Sequence, residues 1–113
     1  MQLTTALEDS IGIVTLQGDF NAAQVNSIRD SFKEWFDGNH GIQNVIMDFE
    51  GVGMIDSAGL GLLIALLKHV TNRGGDLKLV GLQKKVRLVF EITRTHRIFE
   101  IMDSIEEAKN ALS

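Results

Sequence analysis

The stretch Val45-Ile46-Met47-Asp48-Phe49-Glu50-Gly51-Val52-Gly53-Met54-Ile55-Asp56-Ser57-Ala58-Gly59-Leu60-Gly61, continued to Arg73, decides how this chain folds. Residues Val45 to Phe49 are mostly apolar and few, as in a strand covered on both faces. Gly51 to Asp56 reads as a glycine-rich loop. From Ser57 to about Arg73, Leu60, Leu62, Leu63, Ile64, Ala65, Leu66, Leu67 and Val70 leave hardly a polar side. That pattern predicts a helix buried on most of its surface. Gly74-Gly75-Asp76 closes it, with glycine where a left-handed residue is wanted. A buried strand, a loop and a buried helix form the repeating unit of an α/β fold.

Upstream, Leu3 to Leu7 is a weak strand, and Ile11 to Leu16 is a stronger one rich in β-branched residues. The polar turn Glu8-Asp9-Ser10 between them suggests a hairpin. Gly18-Asp19 breaks the second strand. Asn21 with Gln24 three residues later has the form of a capping box. Val25, Ile28, Phe32, Trp35 and Phe36 then fall on one helical face, and Gly38-Asn39-His40-Gly41 stops that helix. Trp35 and the phenylalanines lie at core spacing and read as packing. Downstream, Leu77 to Val80 is a strand, and Val86, Val89 and Phe90 mark an amphipathic helix. Ile98 to Ile101 is a short edge strand, and Ser104 with Glu107 is a second capping box before a last helix lined by Ile105, Ala108 and Leu112. The order ββαβαβαβα predicts one domain over residues 1–113, with a mixed sheet and parallel crossovers.

The chain has 113 residues, 44% hydrophobic and 23% charged, which suits one folded domain with a core of its own. It has no cysteine, so disulfides, thiolate nucleophiles and cysteine zinc sites are excluded. The N-terminus lacks the basic and apolar regions of a signal peptide. The longest apolar run, Leu62 to Leu67, is far short of a membrane span. Membrane insertion is not expected, and the location expected is cytoplasmic. The net charge of −4 argues against direct nucleic-acid binding. Lys84, Lys85, Arg87, Arg94 and Arg97 nevertheless gather late, against Glu91 alone. They form either a solvated helix face or a docking patch for an acidic partner.

Asp56-Ser57-Ala58-Gly59-Leu60-Gly61 carries the most information about function. Ser57 stands at the helix start, as N-cap or first residue, and serine often does no more there than cap. The other two marked helix starts have Gln24 and Glu107 as reciprocal partners, whereas this one has Leu60. On that reading its first N–H groups have no local acid competing for them. A phosphate on Ser57 would then meet the positive end of the helix dipole and add roughly −1.5 to −2 charge beside Asp56. Ala58, Gly59 and Gly61 either leave room for another chain or let the helix pack closely on the sheet.

These residues resemble the STAS domain of anti-sigma factor antagonists. The resemblance spans nearly the whole chain. It includes Gly18-Asp19-Phe20-Asn21, Leu77-Lys78-Leu79-Val80-Gly81 and the ending from Phe99 to Leu112. It implies an α/β fold, a small mixed sheet with helices mainly on one face. It further implies a phosphorylation-controlled partner switch. Unphosphorylated, such a protein binds an anti-sigma factor with serine kinase activity. Phosphorylation of the motif serine, here Ser57, disrupts the complex, and a serine phosphatase restores it. The implied contact residues are Asp19, Asn21, Asp56, Ser57, Ala58, Gly59 and Gly61. Asn21 stands where many members carry aspartate, and Ala58 leaves Ser57 as the only hydroxyl of the motif. A stressosome-like scaffold or the accessory subunit of a lipid-transport ABC system is the alternative within this fold. The oligomeric state is left at monomer or weak dimer.

No enzyme is expected. Ile55-Asp56-Ser57-Ala58-Gly59 lacks the first glycine of a nucleophile elbow, and His40, His69 and His96 have neither triad nor metal spacing. Gly51-Val52-Gly53 lacks the third glycine of a dinucleotide loop, and no P-loop lysine follows, so no cofactor is expected. Labelling of Ser57 by a fluorophosphonate would be the sign of a hydrolase.

Overall fold

The computed structural model describes residues 1–112. Its elements are β1 (Gln2–Glu8), β2 (Ile11–Phe20), α1 (Val25–Asp37), β3 (Asn44–Ile55), α2 (Ser57–Thr71), β4 (Leu77–Val80) and α3 (Lys84–Ile92), then a short 3-10 turn (Thr95–Arg97), β5 (Ile101–Met102) and α4 (Ile105–Leu112). The sheet runs β1-β2-β3-β4-β5 in space. The β1–β2 pair is antiparallel and all other pairs are parallel. No helix among the described residues is long and apolar enough to cross a membrane.

The layering follows from the period-two alternation of strands. Val14, Leu16, Val45, Met47, Phe49, Leu77 and Leu79 face one side and form the main core with Ile28, Phe32, Phe36, Leu63, Leu66, Val86 and Phe90 of the three longer helices. Ile46 and Val80 face the other side, where Ala108 of α4 packs with Ile105 and Leu112. Helices thus lie mainly on one face, as the resemblance implied. Trp35 and the phenylalanines of α1 are packing residues: Phe32 and Phe36 are fully buried and Trp35 is half-buried against the core.

Four local expectations are corrected. The glycine-rich segment 51–56 is not a loop: β3 runs through it to Ile55. It can do so because β2 also continues, past Gly18-Asp19 to Phe20, and supplies the partner edge. Between Thr15 and Gln17, and again between Gly18 and Asp19, β3 holds one more residue than β2. These are bulges, a usual meaning of glycine inside a strand. At the first, a Cβ on Gly51 would stand 2.9 Å from the Leu16 carbonyl oxygen, too close for any side chain.

Asn21 is not a helix N-cap. It opens a turn in which its backbone oxygen accepts the Gln24 N–H at 2.9 Å and its side-chain Oδ1 accepts the Ala23 N–H at 3.1 Å. Helix α1 starts only at Val25, and Gln24 makes no capping bond. The predicted edge strand at Ile98 to Ile101 is displaced: Ile98 and Phe99 finish the 3-10 turn, and only Ile101–Met102 pair with β4. The capping box at Ser104 forms with one change. Ser104 Oγ accepts the Glu107 N–H at 3.1 Å, but the Glu107 carboxylate returns to the N–H of Asp103.

Polar groups within the fold are paired. Lys78 is almost fully buried in β4, where its ammonium meets the carboxylates of Asp76 and Glu100. Burial alone would lower its pKa; the two carboxylates outweigh burial and hold it above the ordinary 10.5. Arg73 donates to the carbonyls of Phe36, Asn39 and Ile42 and lies over the Phe36 ring at 3.6 Å, closing the end of α1. Gly74 turns the chain away after α2 with a φ of 90°.

Candidate functional site

The parallel strands β2 and β3 end side by side, with Phe20 paired to Ile55. The first residues beyond them are the Asn21 turn and Asp56-Ser57. Two segments 34 residues apart in sequence are therefore joined at one end of the sheet. The join is made by Asp56. Its N–H donates to the Phe20 carbonyl at 3.2 Å. Its carboxylate accepts the Gly59 N–H at 2.9 Å through Oδ1 and the Ala22 N–H at 2.9 Å through Oδ2.

This arrangement corrects the reading of the α2 start. The N-cap is Asp56, in extended conformation, and Ser57 is the first helical residue. An acid does compete for the first helix amides, and it is the residue before the serine rather than one three residues after it. The Gly59 amide, aided by those of Ala22 and Ala58, holds the Asp56 carboxyl below its ordinary value of 3.8 against the upward push of partial burial. Asp56 is therefore ionised at neutral pH. A phosphate on Ser57 would meet a fixed neighbouring charge instead of empty amides, and its effect would be like-charge crowding at an exposed surface.

The remaining motif residues separate by depth. Ser57 and Gly61 are exposed, Ala58 is half-buried, and Gly59 is buried. Gly59 is a packing residue: a Cβ there would lie 2.6 Å from the Phe20 carbonyl oxygen and 2.9 Å from the Ile55 side chain. A Cβ on Gly61 would meet nothing within 4 Å. Asp19, exposed at the end of β2, pairs in register with Met54, and Asn21 is half-buried in the adjoining turn. Met54 is 44% exposed, a large apolar side chain on the surface at this end that the sequence did not mark as a contact residue. The capping role of Asp56 was also missed; aspartate's strong N-cap preference was the available signal. Nothing local announced the bond to Ala22.

Other candidates lie elsewhere. His69 binds the Asp37 carboxylate at 2.7 Å and stands 12 residues along α2 from Ser57, about 18 Å along the helix axis. The His96 ring contacts the Phe90 carbonyl oxygen at 3.2 Å. Among the described residues, no group of three His, Asp or Glu side chains is placed to hold a metal ion. Lys84, Lys85, Arg94 and Arg97 are exposed on α3 and the turn after it, and Arg87 lies 3.9 Å from Asp103.

The model of the STAS domain family matches residues 2–108. The chain belongs to the STAS domain family. Its relatives include a Thermotoga neapolitana protein named as an anti-sigma factor antagonist, 39% identical over 80 residues, which cover 68% of this chain and 71% of that one. Another, from Bordetella bronchiseptica and named as the anti-sigma factor antagonist BtrV, is 32% identical over 98% of this chain and 94% of its own. Among solved structures, the Thermotoga maritima protein of the same description superposes with a TM-score of 0.89 at 24% identity, covering 97% and 93% of the two chains. The phosphorylated form of the Bacillus protein SpoIIAA superposes with a TM-score of 0.73 at 20% identity, over 99% of this chain and 100% of that one. At such identities these likenesses speak for the STAS fold. They agree with the five-stranded mixed sheet and four helices described above.

Proposed function

We propose that this STAS domain is an anti-sigma factor antagonist that works as a phosphorylation-controlled switch, and is not an enzyme. Unphosphorylated, it binds an anti-sigma factor with serine kinase activity in the cytoplasm. Phosphorylation of Ser57 releases that partner, and a serine phosphatase restores binding. The observation that carries the reading is the placement of Ser57. It is exposed on the first turn of a helix that is anchored in the core through Leu60, Leu62, Leu63, Leu66 and Val70. Modification there alters the surface while the fold beneath stays intact. The names of the relatives, and the existence of a phosphorylated form of SpoIIAA, support it.

The contact surface in this reading is the exposed part of the motif, Ser57 and Gly61 with Asp56 and Ala58 at its rim, and the adjoining Asp19–Asn21 turn. Gly59 serves that surface from beneath by letting α2 approach Phe20. A second formal negative charge beside ionised Asp56 leaves an unpaired charge in a desolvated contact. The cost is about 2 kcal/mol or more, roughly a 30-fold loss of affinity. Calorimetry with the cognate anti-sigma factor tests it: Ser57→Ala should bind like wild type and Ser57→Asp much more weakly. Equal affinities for wild type and Ser57→Asp would sink the mechanism. Mass spectrometry of Ser57 from native cells reads the modification itself.

A further inference from the structure

We propose that the free edge of β1 is a homodimer interface, where two copies pair antiparallel about Thr5 and join their sheets into one of ten strands. The sheet has two edges. At one, β5 is only two residues long. At the other, β1 presents seven residues, Gln2–Glu8, with nothing beyond them among the described residues. Such edges are normally guarded by charge, proline, bulges or a covering element. Here proline is absent, the β1–β2 register is unbroken, and the single charged residue of the strand, Glu8, is already paired with Lys109.

The register shows which backbone groups are free. Glu8 pairs with Ile11 across the two-residue turn Asp9-Ser10. That pair must be directly hydrogen-bonded, because the other phase would require Asp9 and Ser10 to bond each other. Alternation then turns the N–H and C=O groups of Gln2, Thr4, Ala6 and Glu8 toward β2. Those of Leu3, Thr5 and Leu7 point outward, unused by the sheet.

The outward set is self-complementary. With a two-fold axis at Thr5, Leu3 of one copy stands opposite Leu7 of the other, Thr5 opposite Thr5, and Gln2 opposite Glu8. All three outward pairs fall in the directly bonded phase, giving two bonds each. No like charges meet. Leu3 and Leu7 are opposite Leu16 and Gly12, so they lie on the face that carries the main core. Leu3 packs against that core, while Leu7 is 53% exposed and gains a partner in the dimer. The other exposed apolar helix face, Leu88 and Ile92 on α3, is a poorer choice for a second copy, because Lys84, Lys85 and Arg87 outnumber Glu91 there and two copies would bring an excess of like charge together. The β1 contact is separated from β3, which leads into Ser57, by β2.

The test uses the full chain and the variants Thr5→Pro and Leu7→Lys. Proline at Thr5 removes an outward N–H and no bond to β2, a position where edge strands accept it. Sedimentation from about 10 µM to about 1 mM, the range suited to an interface below about 1,000 Å², should show wild type passing from monomer to dimer. Both variants should stay monomeric, with circular dichroism unchanged for any variant used. Amide exchange at high concentration should slow by about tenfold at Leu3, Thr5 and Leu7, with Thr4 and Ala6 unmoved because β2 already protects them. A wild type still monomeric at the top concentration overturns the proposal. So does a dimer that survives Leu7→Lys, or concentration-dependent protection on α3 in place of β1.

Discussion

Helices α2 and α4 both begin with a capped first turn, but the two caps differ in reach. At α4, Ser104 accepts the Glu107 N–H and Glu107 accepts the Asp103 N–H, all within five residues of chain. At α2, one carboxylate holds Gly59 three residues ahead and Ala22 thirty-four residues behind. The first cap stabilises a helix. The second also fixes a loop from another part of the chain against the serine that the proposed function needs. A local cap is therefore a stability device, whereas a long-range cap sets the shape of a surface.

The largest effect is expected where α2 touches Phe20. Gly59→Ala forces a Cβ into backbone and should cost about 1–3 kcal/mol of stability in urea titration, whereas Gly61→Ala, open on all sides, should stabilise by up to about 1 kcal/mol. If the two substitutions behave alike, the close approach is not what Gly59 provides. Next comes the cap itself. Asp56→Ala should cost about 2 kcal/mol, at the upper end for an N-cap because two amides lose their acceptor, and the Ala22 amide should exchange faster. Ser104→Ala should cost about 1 kcal/mol and leave the exchange of Ala22 unchanged. Faster exchange at Ala22 in Ser104→Ala would erase the distinction between the two caps.

Acid sharpens the comparison further. Because the folded-state pKa of Asp56 lies below 3.8, the unfolded chain binds more protons in the interval between the two values. The stability that Asp56 supplies is therefore complete above the unfolded value and is lost as pH falls through the folded one. The stability gap between wild type and Asp56→Asn should be widest near about pH 7 and should narrow below about pH 3.8. The smallest effect is expected at the serine: Ser57→Ala should change stability by no more than about 0.5 kcal/mol, since Ser57 is exposed and Asp56 holds the amide.

Much was legible from the sequence alone, because its signals are periodic or local. The apolar run from Leu60 to Val70 specified a helix anchored in the core, although Gly61, Ala65 and Lys68 leave one face of it exposed. The β-branched run from Ile11 to Leu16 specified a strand, and Ser104 with Glu107 specified a cap whose bonds span a few residues. The alternation of strands and helices was enough for the α/β class, and the Asp56-Ser57 motif could be placed at the join of a strand and the helix after it. The errors fall into two kinds, those decided by contacts from distant chain and those decided by a local bond that competes with the expected one. Gly51 and Gly53 look like a loop until β2 offers them an edge to pair with through bulges. Asn21 looks like a cap until the Asn21–Gln24 turn forms ahead of α1 and Asp56 claims the neighbouring Ala22 amide. The α2 start looks free of acid until Asp56 is seen to turn its carboxylate back onto Gly59. The sequence by itself determined the class of fold, the existence of α2 and the place of Ser57 at its start, since these follow from period, propensity and motif. Only the tertiary structure decided which loop stands next to Ser57, because that depends on a hydrogen bond from Ala22 to Asp56 closed across thirty-four residues.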